Sequence, residues 1–167
     1  MSTESFESTS ASTSDMNATE IVRNAAKIRC VTYKDDFSSN KCSYDDMMIG
    51  VHNGVVGCNS GVFGASSPGD IVLITSNKGK EKYFIVGVLT NQLHNCDAWK
   101  NEGGFAWEHN FEYTPLSKIV FITNELKAEM VKICLNHNVD DKYLLHSRFC
   151  GIRYKPILMD MFALNII

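Results

Sequence analysis

Apolar and polar residues divide this chain into short blocks. Ile28-Arg29-Cys30-Val31-Thr32-Tyr33 mixes β-branched and aromatic residues with polar ones and predicts a first strand. Ile71-Val72-Leu73-Ile74-Thr75 is an unbroken apolar run, as a strand covered on both sides would be, and the turn signal Pro68-Gly69-Asp70 leads into it. Asn77-Lys78-Gly79-Lys80 reads as a hairpin turn, and Lys82 to Leu89 as the returning strand. Phe105, Trp107, Phe111 and Tyr113, with Glu108 and Glu112 between them, predict a strand on an exposed rim; Lys118 to Ile122 predicts another.

The helical signals are fewer. Asn17 to Ala26 can form a short helix capped by Asn17 or Thr19, and Ser43 can cap a turn running to Met48. Glu125 to Asn136 places Leu126, Met130, Ile133 and Cys134 on one face of a helix. Glycines at 50, 54, 57, 61, 64 and 69 predict irregular backbone or short bulged strands, because glycine weakens a helix. The apolar stretch Ile157 to Ile167 is expected to dock on the domain. Residues 1–16, mostly Ser, Thr and Glu, cannot bury enough apolar surface to order themselves and are expected to form a disordered acidic tail. Strands do not alternate with long helices, so a parallel α/β sheet is not expected. The pattern predicts an α+β domain over 17–167: a small, mostly antiparallel, partly closed β-barrel with peripheral helices.

Composition changes this picture little. Hydrophobic residues make up 44% of the 167 and charged residues 21%, which is ordinary for a globular domain. The net charge of -3 is uneven: Glu4, Glu7, Asp15 and Glu20 stand in the first twenty residues with no Lys or Arg, leaving the remainder near +1. That balance does not by itself announce a nucleic-acid partner. Neither a secretory start nor an apolar run long enough for a membrane helix is visible. Six cysteines, spaced almost evenly, read as reduced thiols in an intracellular compartment rather than as a disulfide framework. No Cys-x-x-Cys pair occurs and His94-x-Cys96 stands alone, so neither a metal nor a cofactor is expected. Lys142, His146, Arg148, Arg153, Tyr154 and Lys155 lie in a stretch free of acidic residues; it suits a phosphate backbone or is a solvated face.

Several segments, in order, resemble the PUA-like barrels, and within them the EVE and YTH branch. Ser43-Tyr44-Asp45-Asp46-Met47 is similar to the EVE entry turn Ser-x-Asp-Asp-Leu. Val56-Gly57-Cys58-Asn59 resembles the pocket loop Trp-x-Gly-Val-Arg-Asn, with Val56 in place of the tryptophan and Cys58 in place of the arginine. Gly69-Asp70-Ile71-Val72 through Ser76 is similar to the Gly-Asp-x-Val strand, and Phe84 to Val88 to the strand after it. Asp97-Ala98-Trp99, His146-Ser147-Arg148-Phe149 and Lys155-Pro156 resemble later segments, so the likeness spans most of 28–160.

The resemblance implies a non-enzymatic nucleic-acid-binding module, for DNA or RNA, that holds a flipped or modified nucleobase at the barrel mouth. On that basis Trp99 is expected to stack on the base. Cys58, Asn59, Ser60, Ser76 and Asn77 would line the pocket, and Asp97 would accept from a base edge. Arg148, Arg153 and Lys155 would hold phosphate. Each has a plainer reading: tryptophan at a core edge, turn residues at 58–60 and 76–77, and a solvated basic face. The rival functions are an interaction domain with a degenerate pocket and a small cysteine-dependent hydrolase.

Overall fold

Gly79 organises the centre of the molecule. In the computed structural model, which describes residues 17–34, 43–94, 96–99, 107–145 and 151–167, its φ of 63° fills the first position of a two-residue turn. That turn joins β3 (Ile71–Lys78) to β4 (Glu81–Leu93), which pair antiparallel from Ile71↔Val88 to Lys78↔Glu81. At thirteen residues β4 outruns any single partner on its other side. Its first part pairs with the two-residue β6 (Val120–Phe121), and its second part with β5 (His109–Pro115) across an irregularity between Leu89 and Asn91. β5 continues to β2 (Val55–Cys58), and β1 (Ile28–Thr32) lies beside β3.

The sheet order is β1-β3-β4-β5-β2, with β6 beside β4. All its pairings are antiparallel except β1 with β3. The parallel pair follows from the long connection between them, which holds α2 (Ser43–Asn53), β2 and α3 (Ser60–Ala65) and leaves room for a crossover. The expectation of a mostly antiparallel α+β fold therefore stands. As a pairing pattern, however, the sheet is an open path ending at β1 and β2.

Its two ends nonetheless approach each other. At the end of β1 the Tyr33 hydroxyl accepts the Gly57 N–H of β2 at 2.9 Å, and Tyr33 is buried. Strands spaced about 4.8 Å apart would put these ends almost 20 Å apart in a flat sheet. Tyr33 spans what remains, so the sheet is strongly curled. Its concave face holds Val31, Tyr33, Met47, Val56, Ile74, Ile85, Trp99 and Phe111. Its other face packs Cys30, Leu73, Phe84 and Val86 against α1 (Ala18–Asn24), α4 (Asn124–Asn136) and α5 (Lys155–Ala163). A core on both faces explains why Ile71–Thr75 is apolar without alternation. The C-terminal stretch docks as expected, through Ile157, Leu158 and Met161 of α5.

Tyr33→Phe should strand the Gly57 N–H in the interior. A loss of about 1–3 kcal/mol is expected, read as a lower urea midpoint with an unchanged slope. An unchanged midpoint would mean that the two ends of the sheet are held by something else.

The glycine-rich stretch departs from expectation, because α2 and α3 are both helices within it. Gly50 sits in α2 where a Cβ would come 2.6 Å from the Val55 carbonyl, so close packing onto β2 outweighs the weak helix propensity. Asn59 caps α3, its side chain accepting the Val62 N–H at 2.8 Å. The rim strand begins at His109, later than the sequence suggests, and the 118–122 strand shortens to Val120–Phe121. The tail expected at 1–16 lies outside the described residues. Among the described residues no helix is long and apolar enough to cross a membrane, and Cys58, Cys96 and Cys134 carry free thiols.

Candidate functional site

Lysines gather at the hairpin end of the sheet. Lys78, Lys80 and Lys82 flank the Gly79 turn, all exposed, and the exposed Lys34 follows β1 on the neighbouring side. Two adjoining depressions open here. The smaller, about 290 Å³, is floored by Thr32 and Thr75, whose hydroxyls are bonded at 3.0 Å, and is edged by Lys34, Asn77, Lys82 and Tyr83. The larger, about 470 Å³, runs between Lys80, Lys127 and Lys142 along the first turns of α4. They share Lys82, Ile122 and Leu145 and so form one groove.

The groove is electrostatically one-sided. Among the described residues, Lys34, Lys80, Lys82, Lys127 and Lys142 line it with one carboxylate, Asp141. Lys34, Lys80, Lys82 and Lys127 make no ion pair with another described residue. Thr123, the N-cap of α4, and Asn124 lie on its wall, so the helix contributes the positive end of its dipole. Leu145, where the two depressions meet, has a φ of 59°, a left-handed conformation that bulky side chains rarely adopt.

An aromatic ladder stands on the concave side of β4, across the sheet from the α4 side on which the groove opens, with Tyr83 at the border of both. The rings of Tyr44 and Tyr83 lie 4.7 Å apart, and those of Tyr83 and Phe121 5.3 Å apart. The Lys78 ammonium sits 5.3 Å from the centre of the Tyr44 ring. Phe121 is 46% exposed, unusually open for a phenylalanine fixed in a strand. The Tyr83 hydroxyl donates to Glu81 at 2.6 Å, and that bond pushes its pKa up to about 12. Each element is locally determined: Phe121 is set opposite Tyr83 by the β4–β6 register, and α2 is clamped to β3 through Ser43. The Ser43 hydroxyl donates to the Asn77 carbonyl at 2.9 Å and accepts the Asn77 N–H at 2.7 Å.

The residues singled out from the sequence fall in several places. Ser76 and Asn77 lie at the groove, but Ser76 is buried and donates to the Met47 sulfur at 3.2 Å, while the Asn77 backbone is held by Ser43. Trp99 is only 2% exposed. It sits in the concave-face core 6.3 Å from Tyr33, ring centre to ring centre, and its indole N–H donates to Asn110 at 2.8 Å. In this position it is a packed wall, and its faces are not open to a ligand. Cys58 is buried in β2, and burial raises its pKa to about 11. Asn59 caps α3, Ser60 is exposed on that helix, and Asp97 is exposed near Trp99.

The proposed phosphate ligands stand elsewhere. Arg153 is exposed, with its guanidinium 5.1 Å from the centre of the Tyr154 ring. The Lys155 ammonium donates to the Arg23 carbonyl at 2.8 Å, at the end of α1. Tyr154 and Ile157 between and beside them belong to the core on the far face of the sheet from Trp99, so Arg153 and Lys155 do not share one site with Trp99. Arg148 lies outside the described residues. Lys34, Tyr44, Lys80, Lys82, Phe121 and Lys127 were not indicated by the sequence reading, although three lysines around one turn were visible in it. Among the described residues no three His, Cys, Asp or Glu side chains are grouped to hold a metal ion. No family model and no curated protein matches the chain.

Proposed function

We propose that the chain is a nucleic-acid-binding module, a divergent PUA-like barrel whose contact surface is the lysine groove at the β3–β4 hairpin. The curl of the sheet, tied by Tyr33 to Gly57, supports the barrel reading. The observation that carries the function is the five lysines and one aspartate that line the groove among the described residues, in a chain whose overall net charge is -3. Four of them, Lys34, Lys80, Lys82 and Lys127, make no ion pair with another described residue; such a concentration of ammonium groups favours a polyanion, and its continuous course favours an extended one. Free thiols at Cys58, Cys96 and Cys134 suit a reducing compartment, where nucleic acid is found. A hydrolase built on Cys58 is less well supported, since burial holds that group as the thiol rather than the nucleophilic thiolate.

Anisotropy of labelled oligonucleotides across a salt series tests this reading. The wild type should bind with an affinity that falls steeply as salt rises. Lys82→Ala should weaken binding and make the slope of log K against log salt shallower by about 0.7–0.9, the value for one lost phosphate contact. Absence of binding at low salt, or a slope that Lys82→Ala leaves unaltered, would remove the groove as the contact surface.

A further inference from the structure

The larger depression has a second character besides its charge. Between its lysines lies an apolar floor of Ile122, Val131, Leu144 and Leu145, all half-buried. Phosphates engage ammonium groups and leave such a floor unfilled. The chain carries a segment with the matching pattern. Glu4-Ser5-Phe6-Glu7 sets one aromatic ring, the only one in the first sixteen residues, between two carboxylates. We infer that this segment docks in the larger depression of its own chain, with Phe6 on the apolar floor and Glu4 and Glu7 toward Lys80, Lys127 and Lys142, and that a polyanion must displace it. The displacement rests on the nucleic-acid reading of the groove; the docking does not.

Position and reach allow this contact. α1 packs on the α4 side of the sheet, Val22 and Met130 sharing one core, so the chain enters the domain on the side where the groove opens. Phe6 stands eleven residues before Asn17, the N-cap of α1. That spacer spans about 36 Å at full stretch, against a radius of gyration of about 15 Å for a domain of this size. Charge supplies the direction. Glu20 is held by Arg23, whereas Glu4 and Glu7 have no Lys or Arg near them in sequence. Lys80 and Lys127 make no ion pair with another described residue. One apolar contact flanked by exposed ion pairs is weak alone. A segment tethered to its own site acts at an effective concentration in the millimolar range, which suits a contact that a stronger polyanion displaces.

The test uses the full chain at low salt. Lysine acylation is read by mass spectrometry, and binding by the anisotropy of a labelled single-stranded RNA and a labelled duplex DNA. Phe6→Ala, which leaves the net charge unaltered, should raise the acylation rates of Lys80 and Lys127 about threefold and tighten oligonucleotide binding by a similar factor, as release of a tethered competitor does. Glu4→Gln combined with Glu7→Gln should do the same. Asp15→Asn, a charge change outside the segment, should do neither. Lys132, exposed on α4 and not part of the groove lining, should react alike in every variant. Equal acylation of Lys80 and Lys127 in the wild type and in Phe6→Ala would overturn the docking and leave the groove reading standing. Protection that disappears on dilution of the wild type would place the segment of a second copy in the groove and overturn the inference as well. Release of the two lysines with unchanged oligonucleotide affinity would overturn the displacement. Release of the lysines with no oligonucleotide bound by any variant would uphold the docking and remove the nucleic-acid reading.

Discussion

Gly57→Ala is expected to destabilise the protein by about 3 kcal/mol, a large effect for a single methyl group. The added Cβ would overlap the Trp107 Cγ and come 2.6 Å from its Cβ and Cδ1, far inside van der Waals contact. Gly57 is central in the short β2, paired with Asn110 of β5, so the backbone cannot retreat without breaking that pair. The tryptophan must move instead, and it lies edge-on to Tyr33 at 5.6 Å. Movement there disturbs the same tyrosine that accepts the Gly57 N–H. Thermal unfolding should show a fall of roughly 6–12 °C, with a red shift in tryptophan emission. An unchanged transition would mean that the Trp107 ring does not rest on β2.

Asn110→Ala is expected to be nearly as severe. Asn110 is fully buried and its side chain works in two directions. Its Oδ1 accepts the Trp99 indole N–H and its Nδ2 donates to the Trp107 carbonyl, each at 2.8 Å. One amide thus joins both ends of the segment between Trp99 and Trp107. Removing it strands a donor and an acceptor, at about 1–3 kcal/mol each, so a total near 3 kcal/mol should appear in denaturant titration. Asn110→Asp keeps the acceptor for Trp99 but loses the donor and introduces a buried carboxylate, and it should be no better than alanine. Full retention of stability by Asn110→Asp would show that the bond to Trp107 carries no weight.

The parts of the fold set by local rules were legible in the chain. The apolar run at 71–75, the glycine turn and the returning strand specify the central hairpin, and the spacing of Leu126, Met130, Ile133 and Cys134 specifies α4. The start of α2 at Ser43 was legible, but its run through Gly50 was not, because that glycine answers to close packing on Val55 rather than to propensity; α3 was hidden by Gly61 and Gly64, which weaken a helix and meet no close packing. The parallel placement of β1 depends on a crossover that no local pattern encodes. Trp99 shows the same limit: its polar sequence neighbours suggested a surface residue, yet Asn110, eleven positions away, satisfies its N–H in the interior. The lysine groove is assembled from β1, β4 and α4, and separation along the chain hid it. The ladder was hidden likewise, since Tyr44, Tyr83 and Phe121 come from three elements.

The hydrogen bond between Tyr33 and Gly57 bears on how the molecule behaves when crowded with its own kind. Strands at the ends of a sheet carry unused main-chain donors and acceptors, a ready template for recruiting a second chain and growing fibrils. Here those two borders are folded toward one another across the length of one phenol ring, so each restricts access to the other. The contact that completes the curl therefore also guards the protein against self-polymerisation through its sheet.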